Sequence, residues 1–398
     1  MPVKLRKTPL AWKNLTHDWR RLAVALAGIA FAVLLMFTQV GFQNALFDSQ
    51  VKVIDDLHGD IFLVSRAKYT LAAEKRFPLA LVKQAASVPG VHGAYPFYSE
   101  LTLSRLKNLS PNRRSKAFPI RSIGIQLDDP VIDTQSIRDQ IDKLRVRGTA
   151  LIDVHSRQAN FDFPRDDDKA LAASPAELAD KSIKLVGTFD LGTDFAHDGN
   201  LVMSAESFAD FFPQRVPFGD PLSVVDLGIV DVSDDADIDD VRDRLDAVID
   251  DRVFVYTREQ FRDKEVSFWD TSTPIGIVFF AGKVIGFIVG MVICYQVIYS
   301  DIADHMSEFA TLKAMGYSRG YFIRLIVVEA VLLALIGFVP GSIVSYGLYH
   351  VLAGSTGLLM RMTIPAALTV LVLTLAMCVA SGLLAVRKLL SADPASLF

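Results

Sequence analysis

The segment Ile275–Tyr299, IGIVFFAGKVIGFIVGMVICYQVIY, and the segment that follows it, Ser300–Gly316, SDIADHMSEFATLKAMG, decide the organisation of this chain. The first has 25 residues, and at a rise of about 1.5 Å per residue it exceeds the roughly 30 Å hydrocarbon core of a bilayer. It therefore predicts a membrane-spanning helix. The second predicts an amphipathic helix that ends at Gly316. Its apolar residues recur at helical spacing: Ile302, Met306, Phe309, Leu312 and Met315.

Three other apolar runs predict three more spans, so that the chain crosses the membrane four times. These runs are Leu22–Phe42, Leu325–Leu348 and Ile364–Val386. Hydrophobic residues make up 51% of the chain although 22% of it is charged. This combination is typical of a protein with one part in the membrane and another in water.

The basic residues that flank the spans predict their orientation. Eleven Lys and Arg residues lie in 1–21, 300–324 and 387–398, whereas the short connection 349–363 contains only Arg361. By the positive-inside rule, both termini and the amphipathic segment are expected in the cytoplasm. The 232 residues of 43–274 then form a domain outside the cytoplasm, which is long enough to bury its own core.

The first span has two interpretations, a cleaved signal peptide or a retained anchor. We favour the anchor, because its 21 apolar residues exceed the usual signal-peptide core of about 7 to 15 residues. Both cysteines, Cys294 and Cys378, fall within spans, so the outer domain has no disulfide to hold it. A net charge of −4 without a basic outer patch gives no reason to expect nucleic acid as a partner.

The outer domain alternates strand-like and helix-like runs, which predicts an α+β domain. We expect an inserted lobe at about 146–217, where the composition changes, within a membrane-proximal lobe. A helix from Thr257 to Trp269 leads back toward the membrane and is expected to act as a stalk. Strands are expected at 60–64, 117–125, 222–232 and 252–256, and helices at 78–86 and 237–249.

The sequence contains no motif with the spacing of a catalytic site. A loose polar set in a Gly-rich loop allows a metal site, but a solvated turn is the favoured interpretation because the spacing matches no ligand pattern. Its members are Asp190, Asp194, His197 and Asp198. There is no phosphate-binding loop, so we do not expect the chain to hydrolyse ATP. Without a catalytic motif or a metal-ligand pattern, we also do not expect it to act as an enzyme or to bind a metal.

Gly282, Gly286 and Gly290 recur every four residues along the second span. Such a smooth strip allows another helix to approach closely, and the partner is either a second copy or another span of the same chain. Lys283, beside the strip, either reaches outward to the interface or pairs with a polar group. Glu329, in the third span, is expected to pair with Arg324 or with the amphipathic segment.

The whole layout resembles the permease subunits of MacB/FtsX-type ABC transporters, and among them the DevC-like permeases. The resemblance is carried by 273–277, by 289–301, by the C-terminal 392–395 and above all by 308–317, EFATLKAMGY. The last stretch is similar to the coupling helix of that family. The resemblance thus implies that the ATPase is contacted by Glu308, Phe309, Leu312, Lys313, Met315 and Gly316.

The resemblance further implies a homodimer in the bacterial inner membrane with a large MacB-like periplasmic domain. A separate ABC ATPase would bind ATP and Mg²⁺, and a periplasmic membrane-fusion adaptor would lead to a TolC-like channel. Closure of the ATPases would move the outer domains and drive export, with glycolipid as a cargo class of DevC relatives. The alternative is an FtsX-like regulator of a periplasmic hydrolase, and a membrane-anchored enzyme is a third class, which would require a catalytic constellation.

Overall fold

A computed structural model describes residues 19–110, 116–132, 134–192, 197–356 and 360–391. The chain forms two compact units. The membrane unit contains the described residues up to Asn44, then Ile275–Leu352 and those from Met360 onward, and the outer unit consists of Ala45–Pro274 with a short piece that begins at Ala353. The described helices are α1 (Trp19–Asp56), α2 (Leu79–Ala85), α3 (Gln135–Arg138), α4 (Asp168–Ala173), α5 (Ala205–Phe211), α6 (Ile238–Val248), α7 (Arg258–Thr271), α8 (Pro274–Asp304), α9 (Met306–Ala314), α10 (Arg319–Thr356) and α11 (Ile364–Ser391).

Four helices are long and apolar enough to cross a membrane, which confirms the predicted integral membrane fold with four spans and a large outer domain between the first two. They are Leu22–Asp56, Pro274–Asp304, Arg319–Ala353 and Ile364–Arg387. Helix α1 continues beyond the first predicted span, and its residues from Ala45 onward belong to the outer unit. Helix α10 runs without interruption across Pro340.

The outer unit is built on a mixed sheet. The strands are β1 (Ile61–Ser65), β2 (Phe77–Pro78), β3 (Val91–Glu100), β4 (Arg105–Asn108), β5 (Phe118–Pro119), β6 (Arg121–Ile125), β7 (Thr149–Asp153), β8 (Ala176–Leu178), β9 (Lys181–Phe189), β10 (Asn200–Ser204), β11 (Val224–Val225), β12 (Leu227–Val232) and β13 (Val253–Thr257). In the described part of the chain, eleven of them form one sheet in the order β13-β1-β12-β3-β6-β10-β7-β9-β8-β4-β5, and β11 pairs with β2. The strands predicted at 60–64 and 252–256 and the helices predicted at 78–86 and 237–249 agree with the structure within one residue. The strands predicted at 117–125 and 222–232 are each divided in two, into β5 and β6 and into β11 and β12.

Alternating residues of the central strands supply two apolar cores, one on each face of the sheet. In β1, Ile61 and Leu63 belong to one core and Phe62 and Val64 to the other. All five residues of β1, β6, β7 and β10 are buried. Both faces of these strands are therefore covered, as is usual for strands in the middle of a sheet that is packed on both sides.

The strand pairings of the outer unit extend beyond the inserted lobe that the sequence predicts at 146–217. Strand β3 pairs with β12 through Leu227↔Phe97 and neighbouring residues, and then with β6 through Tyr98↔Gly124 and the two pairs that follow. Strands β4, β5 and β6 lie before residue 146, but they pair with one another and with β8 and β10. The segment after β3 and before β11, which these pairings connect, is called the inserted lobe below. The limits 146–217 stay a prediction.

Candidate coupling segment and helix packing

The predicted amphipathic segment consists of two helical pieces. Helix α8 ends at Asp304, α9 begins at Met306, and His305 lies at the joint. The backbone N–H of His305 donates to the Asp301 carbonyl at 3.2 Å, and its imidazole Nδ1 lies 3.0 Å from the same oxygen. The apolar stripe expected on one helix is consequently divided between α9 and the end of α8.

Gly316 ends α9, as the sequence predicts. Its φ is +88°, a left-handed conformation that glycine adopts without the steric cost that a side chain imposes. The N–H of Tyr317 donates to the Leu312 carbonyl at 3.2 Å, and this bond across the glycine is that of a Schellman motif. The chain reverses here and enters α10 at Arg319.

The side chains of the coupling segment point to different surroundings. Phe309 is buried, and its ring meets that of Phe322 on α10 edge-on, with centroids 6.0 Å apart. Leu312 is half-buried, whereas Glu308 is exposed and Met315 is 63% exposed. The side chain of Lys313 lies outside the described part of the chain. Phe309 thus anchors α9, while Glu308 on α9 and Met315 directly after it are exposed.

The three glycines of the second span pack against other spans of the same chain. A methyl group on Gly290 would lie 2.1 Å from Met377 Sδ on α11 and 2.6 Å from Ala32 Cβ on α1. On Gly286 it would lie 3.3 Å from Met36 Cγ, also on α1. Gly282 faces the Gln39 side chain of α1. Since the strip is occupied within the protomer, it is not available to a second copy.

Two glycines on α10 also pack against α1, a role that was not predicted for them from the sequence. A methyl group added to Gly337 would lie 2.6 Å from the Ile29 side chain, and one added to Gly341 would lie 2.7 Å from the Val33 side chain. Their four-residue spacing is the same small-residue pattern as that of the second span. Helix α1 is thus packed through glycines of both α8 and α10.

Lys283 combines the two alternatives that the sequence left open. Its Nζ donates to Gln43 Oε1 at 2.8 Å. Gln43 directly follows the first predicted span, so the ammonium is directed toward the outer end of that span, as expected of a lysine that reaches for the interface. Glu329 is buried in α10, with 3% of its surface exposed.

Hydrogen bonds hold the polar loop for which the sequence left a metal site open. His197 is buried with Nε2 2.9 Å from Asn200 Oδ1, and Asn200 Nδ2 donates to Asp153 Oδ2 at 2.7 Å. Two other members lie within ion-pair distance of basic side chains: Asp190 and Asp198. Asp194 lies outside the described residues. Within the described ranges, no group of three or more His, Cys, Asp and Glu side chains is placed to hold a metal ion.

A buried charged cluster lies where the outer chain passes into and out of the inserted lobe. Glu100 ends β3, and Arg215 and Asp226 lie on the returning segment. Arg76 Nη2 lies 2.7 Å from Glu100 Oε2, and its Nε lies 3.3 Å from Asp226 Oδ1. Arg215 pairs with Asp226, and its guanidinium lies 3.7 Å from Glu100 Oε2. Ion pairs thus connect the segment that enters the lobe with the segment that leaves it, and both with Arg76.

Two carboxyl groups of this cluster have opposite pKa shifts. Burial and the neighbouring Glu74 raise the pKa of Glu100 to about 7. For Glu74, burial raises the pKa, but hydrogen bonds from Glu100 and from the Thr102 and Leu101 amides outweigh it and lower the pKa. The two carboxyl groups are therefore arranged to share one proton, with Glu100 as donor.

The architecture is that of a multi-pass membrane protein with a large mixed α/β domain between its first two spans. Residues 277–394, from α8 into the C-terminal residues, match the family described as FtsX-like permease C-terminal. The chain therefore carries an FtsX-like permease domain, which confirms the resemblance to MacB/FtsX-type permeases, a class of ABC-transporter permease. The DevC-like assignment stays a prediction.

The chain is also similar to solved structures of outer domains. One is the periplasmic region of MacB from Actinobacillus actinomycetemcomitans, with 11% identity, a TM-score of 0.34 and coverage of 53% of this chain and 94% of the other. Another is the extracellular domain of the noncanonic ABC-type transporter YknZ from Gram-positive bacteria, with 12% identity, a TM-score of 0.33 and coverage of 50% and 98%. Scores this low carry no conclusion about function. No curated protein matches the chain in sequence.

Proposed function

We propose that the chain is the permease subunit of a MacB-type, DevC-like ABC exporter. Two copies sit in a bacterial inner membrane with their termini in the cytoplasm, and a separate ABC ATPase that binds ATP and Mg²⁺ docks on each. ATP-driven closure of the ATPases moves the outer domains. These act with a membrane-fusion adaptor and a TolC-like channel, and glycolipid is the cargo class that the DevC-like resemblance implies.

The observation that carries this proposal is the form of the coupling segment within the matched permease domain. A short helix is anchored by one buried aromatic residue, Phe309, and stopped by Gly316, so that its exposed side is held in a defined position. That side offers a carboxylate, Glu308, and a flexible apolar side chain, Met315. A charged group beside an adaptable apolar one suits a groove on a partner protein.

The test is purification of the tagged chain from native membranes, with identification of co-purifying proteins by mass spectrometry. The variant is Glu308→Lys with Met315→Asp, which reverses the charge and removes the apolar contact. The matched control makes the same kinds of change on the outer helix α6, with Asp246→Lys and Val248→Asp, both at exposed positions.

We expect an ABC ATPase to co-purify with the parent and the control and to be lost with the coupling variant, while all three elute at the same volume in size exclusion. Retention of the ATPase by the variant would remove these residues from the interface. An adaptor in the same eluate supports export, whereas a periplasmic hydrolase in its place supports the regulator.

A further inference from the structure

The two helices that connect the outer unit to the first two spans meet at one edge of the sheet. Helix α1 ends at Asp56 and leads into β1, while β13 leads into α7. Strands β1 and β13 are antiparallel neighbours, and Ile61 pairs with Thr257 at the point where both connections are made. The N–H of Arg258 extends this ladder by donating to the Asp60 carbonyl at 2.9 Å.

The Arg258 side chain crosses from the first residue of α7 to the end of α1. Its Nη1 donates to the Ile54 and Asp55 carbonyls at 3.0 and 3.1 Å. Its Nη2 donates to the Leu57 carbonyl at 2.8 Å and also to the Gly59 carbonyl. One guanidinium therefore takes up four carbonyls around a helix terminus, where intrahelical partners are lacking. Its positive charge also faces the negative end of the helix dipole.

Neighbouring contacts hold the guanidinium in this orientation. Its Cζ lies 5.7 Å from the centre of the Phe62 ring on β1, and Phe62 packs against the fully buried Phe261, one turn along α7. Arg262, the next residue on the same side of α7, forms an ion pair with Asp55. The start of α7 is separately fixed by a capping box between Thr257 and Gln260. Both helix ends at this junction are thus capped, and one of the caps is supplied by the other helix.

Only arginine has the donor geometry that this junction uses. Its terminal nitrogens carry four N–H groups in one plane, whereas the ammonium of lysine has three donors that diverge from one point. Lysine at position 258 would keep the charge at the end of α1 but would not reach carbonyls on both sides of it. The hydrogen bonds of Arg258 therefore fix the direction of α7 relative to the end of α1, whereas a charge alone would only attract the two helix ends.

We infer that Arg258 joins the outer ends of the two helices into one rigid body, so that both move together when the outer domain moves. This inference rests on the proposed function for the origin of the movement. In that context Arg258 is a positioning residue: it touches neither ATPase nor cargo, and it acts by preventing the two helices from moving independently.

The experiment measures the distance between the two helices in the full-length chain in nanodiscs. Spin labels are placed at Asp48→Cys on α1 and Ser267→Cys on α7, both exposed positions of the outer unit, with Cys294 and Cys378 replaced by alanine. The variants are Arg258→Gln and Arg258→Lys. The control is Arg252→Gln, an exposed arginine whose bonds to Asp250 remain within its own turn.

Without nucleotide, we expect one narrow distance distribution in the parent and the control, and a second, longer distance in both Arg258 variants. This part requires no ATPase, so it tests the junction even if the proposed function fails. With the ATPase and trapped ATP, the parent distance should stay unchanged. The Arg258 variants should hydrolyse ATP at the parental rate but lose cargo export.

Three results would overturn the inference. The parent distribution is already broad, or Arg258→Gln leaves it narrow, or the parent distance shifts when ATP is trapped. If Arg258→Gln fails to fold, Arg258→Lys decides alone, since it keeps the cationic group at the end of α1. A variant that loses ATP hydrolysis together with export would show a general structural role and not a positioning one.

Discussion

The shared proton between Glu100 and Glu74 predicts that the outer domain loses stability as the pH rises from about 4.5 to about 7. In the folded chain the pKa of Glu100 is about 7, against 4.5 for the unconstrained side chain. Between these values the folded state binds a proton that the unfolded state has released, so raising the pH favours unfolding. At about 1.4 kcal/mol per pKa unit, the loss amounts to about 3 kcal/mol and is complete above the folded pKa.

Glu74 contributes in the opposite direction and in a separate pH range. Its pKa is lowered in the folded chain, so its stabilisation is present above the unfolded pKa and is lost as the pH falls through the folded value. The stability of this region should therefore be greatest near the pH at which free glutamates titrate, and it should decline toward neutral pH.

Hydrogen exchange in the full-length chain measures this directly, because the cluster binds nearby amides. The N–H of Leu103 donates to Glu100 Oε1 at 3.1 Å, and that of Leu101 donates to Glu74 Oε1 at 2.8 Å. After correction for the intrinsic pH dependence, protection of these amides should fall by roughly two decades between pH 5 and pH 8. Glu100→Gln mimics the protonated side chain and should remove the slope, whereas Glu259→Gln, at an exposed position, should leave it. Protection that stays level in the parent, or an equal slope in Glu100→Gln, would refute the shared proton.

Three further predictions concern the membrane unit; the first two are checked by thermal unfolding in detergent and the third by limited proteolysis. Gly290→Ala should destabilise the chain by about 1 to 3 kcal/mol through overpacking, while Gly286→Ala, where an added methyl group has 3.3 Å to its nearest neighbour, should change stability little. Lys283→Met should alter stability by less than about 1 kcal/mol, because the ammonium already reaches Gln43 and only a hydrogen bond is lost. Phe309→Ala should leave the four spans folded but expose α9 to limited proteolysis, since its buried anchor is removed; resistance equal to that of the parent would show that α9 has another anchor.

The parts of the fold that were predictable depend on local sequence. Four spans follow from the length of apolar runs, and the end of α9 follows from one glycine in a position where a side chain is disfavoured. The strands expected at 60–64 and 252–256 are short runs bounded by turns, and the structure places them within one residue. In each case the deciding interaction lies within one turn of helix or one strand, so composition and spacing carry it.

The parts that were not predictable depend on which distant segments meet. The sequence shows the glycine strip of α8, but it does not show that α1 and α11 of the same chain pack against this strip. Strand β4 pairs with a strand about 70 residues later, and such a pairing leaves no local signal in the sequence. Glu100 and Arg258 are ordinary charged residues in sequence, and only the fold brings their partners to them.

Both of these unpredicted polar sites lie at points where the chain passes between parts of the molecule. Arg258 joins the ends of two helices at the sheet edge, and Glu100 lies with Arg215 where the chain enters and leaves the inserted lobe. Buried ion pairs contribute little net stability compared with apolar packing of the same volume, because both charges lose their hydration. Hydrogen-bonded charges do, however, require particular directions, which apolar contacts do not. The sheet between these points is held by apolar packing on both faces, and the directional groups are concentrated where the relative orientation of two segments must be specified. We therefore expect substitutions at Arg258 and Glu100 to change how the parts are oriented before they change whether the domain folds.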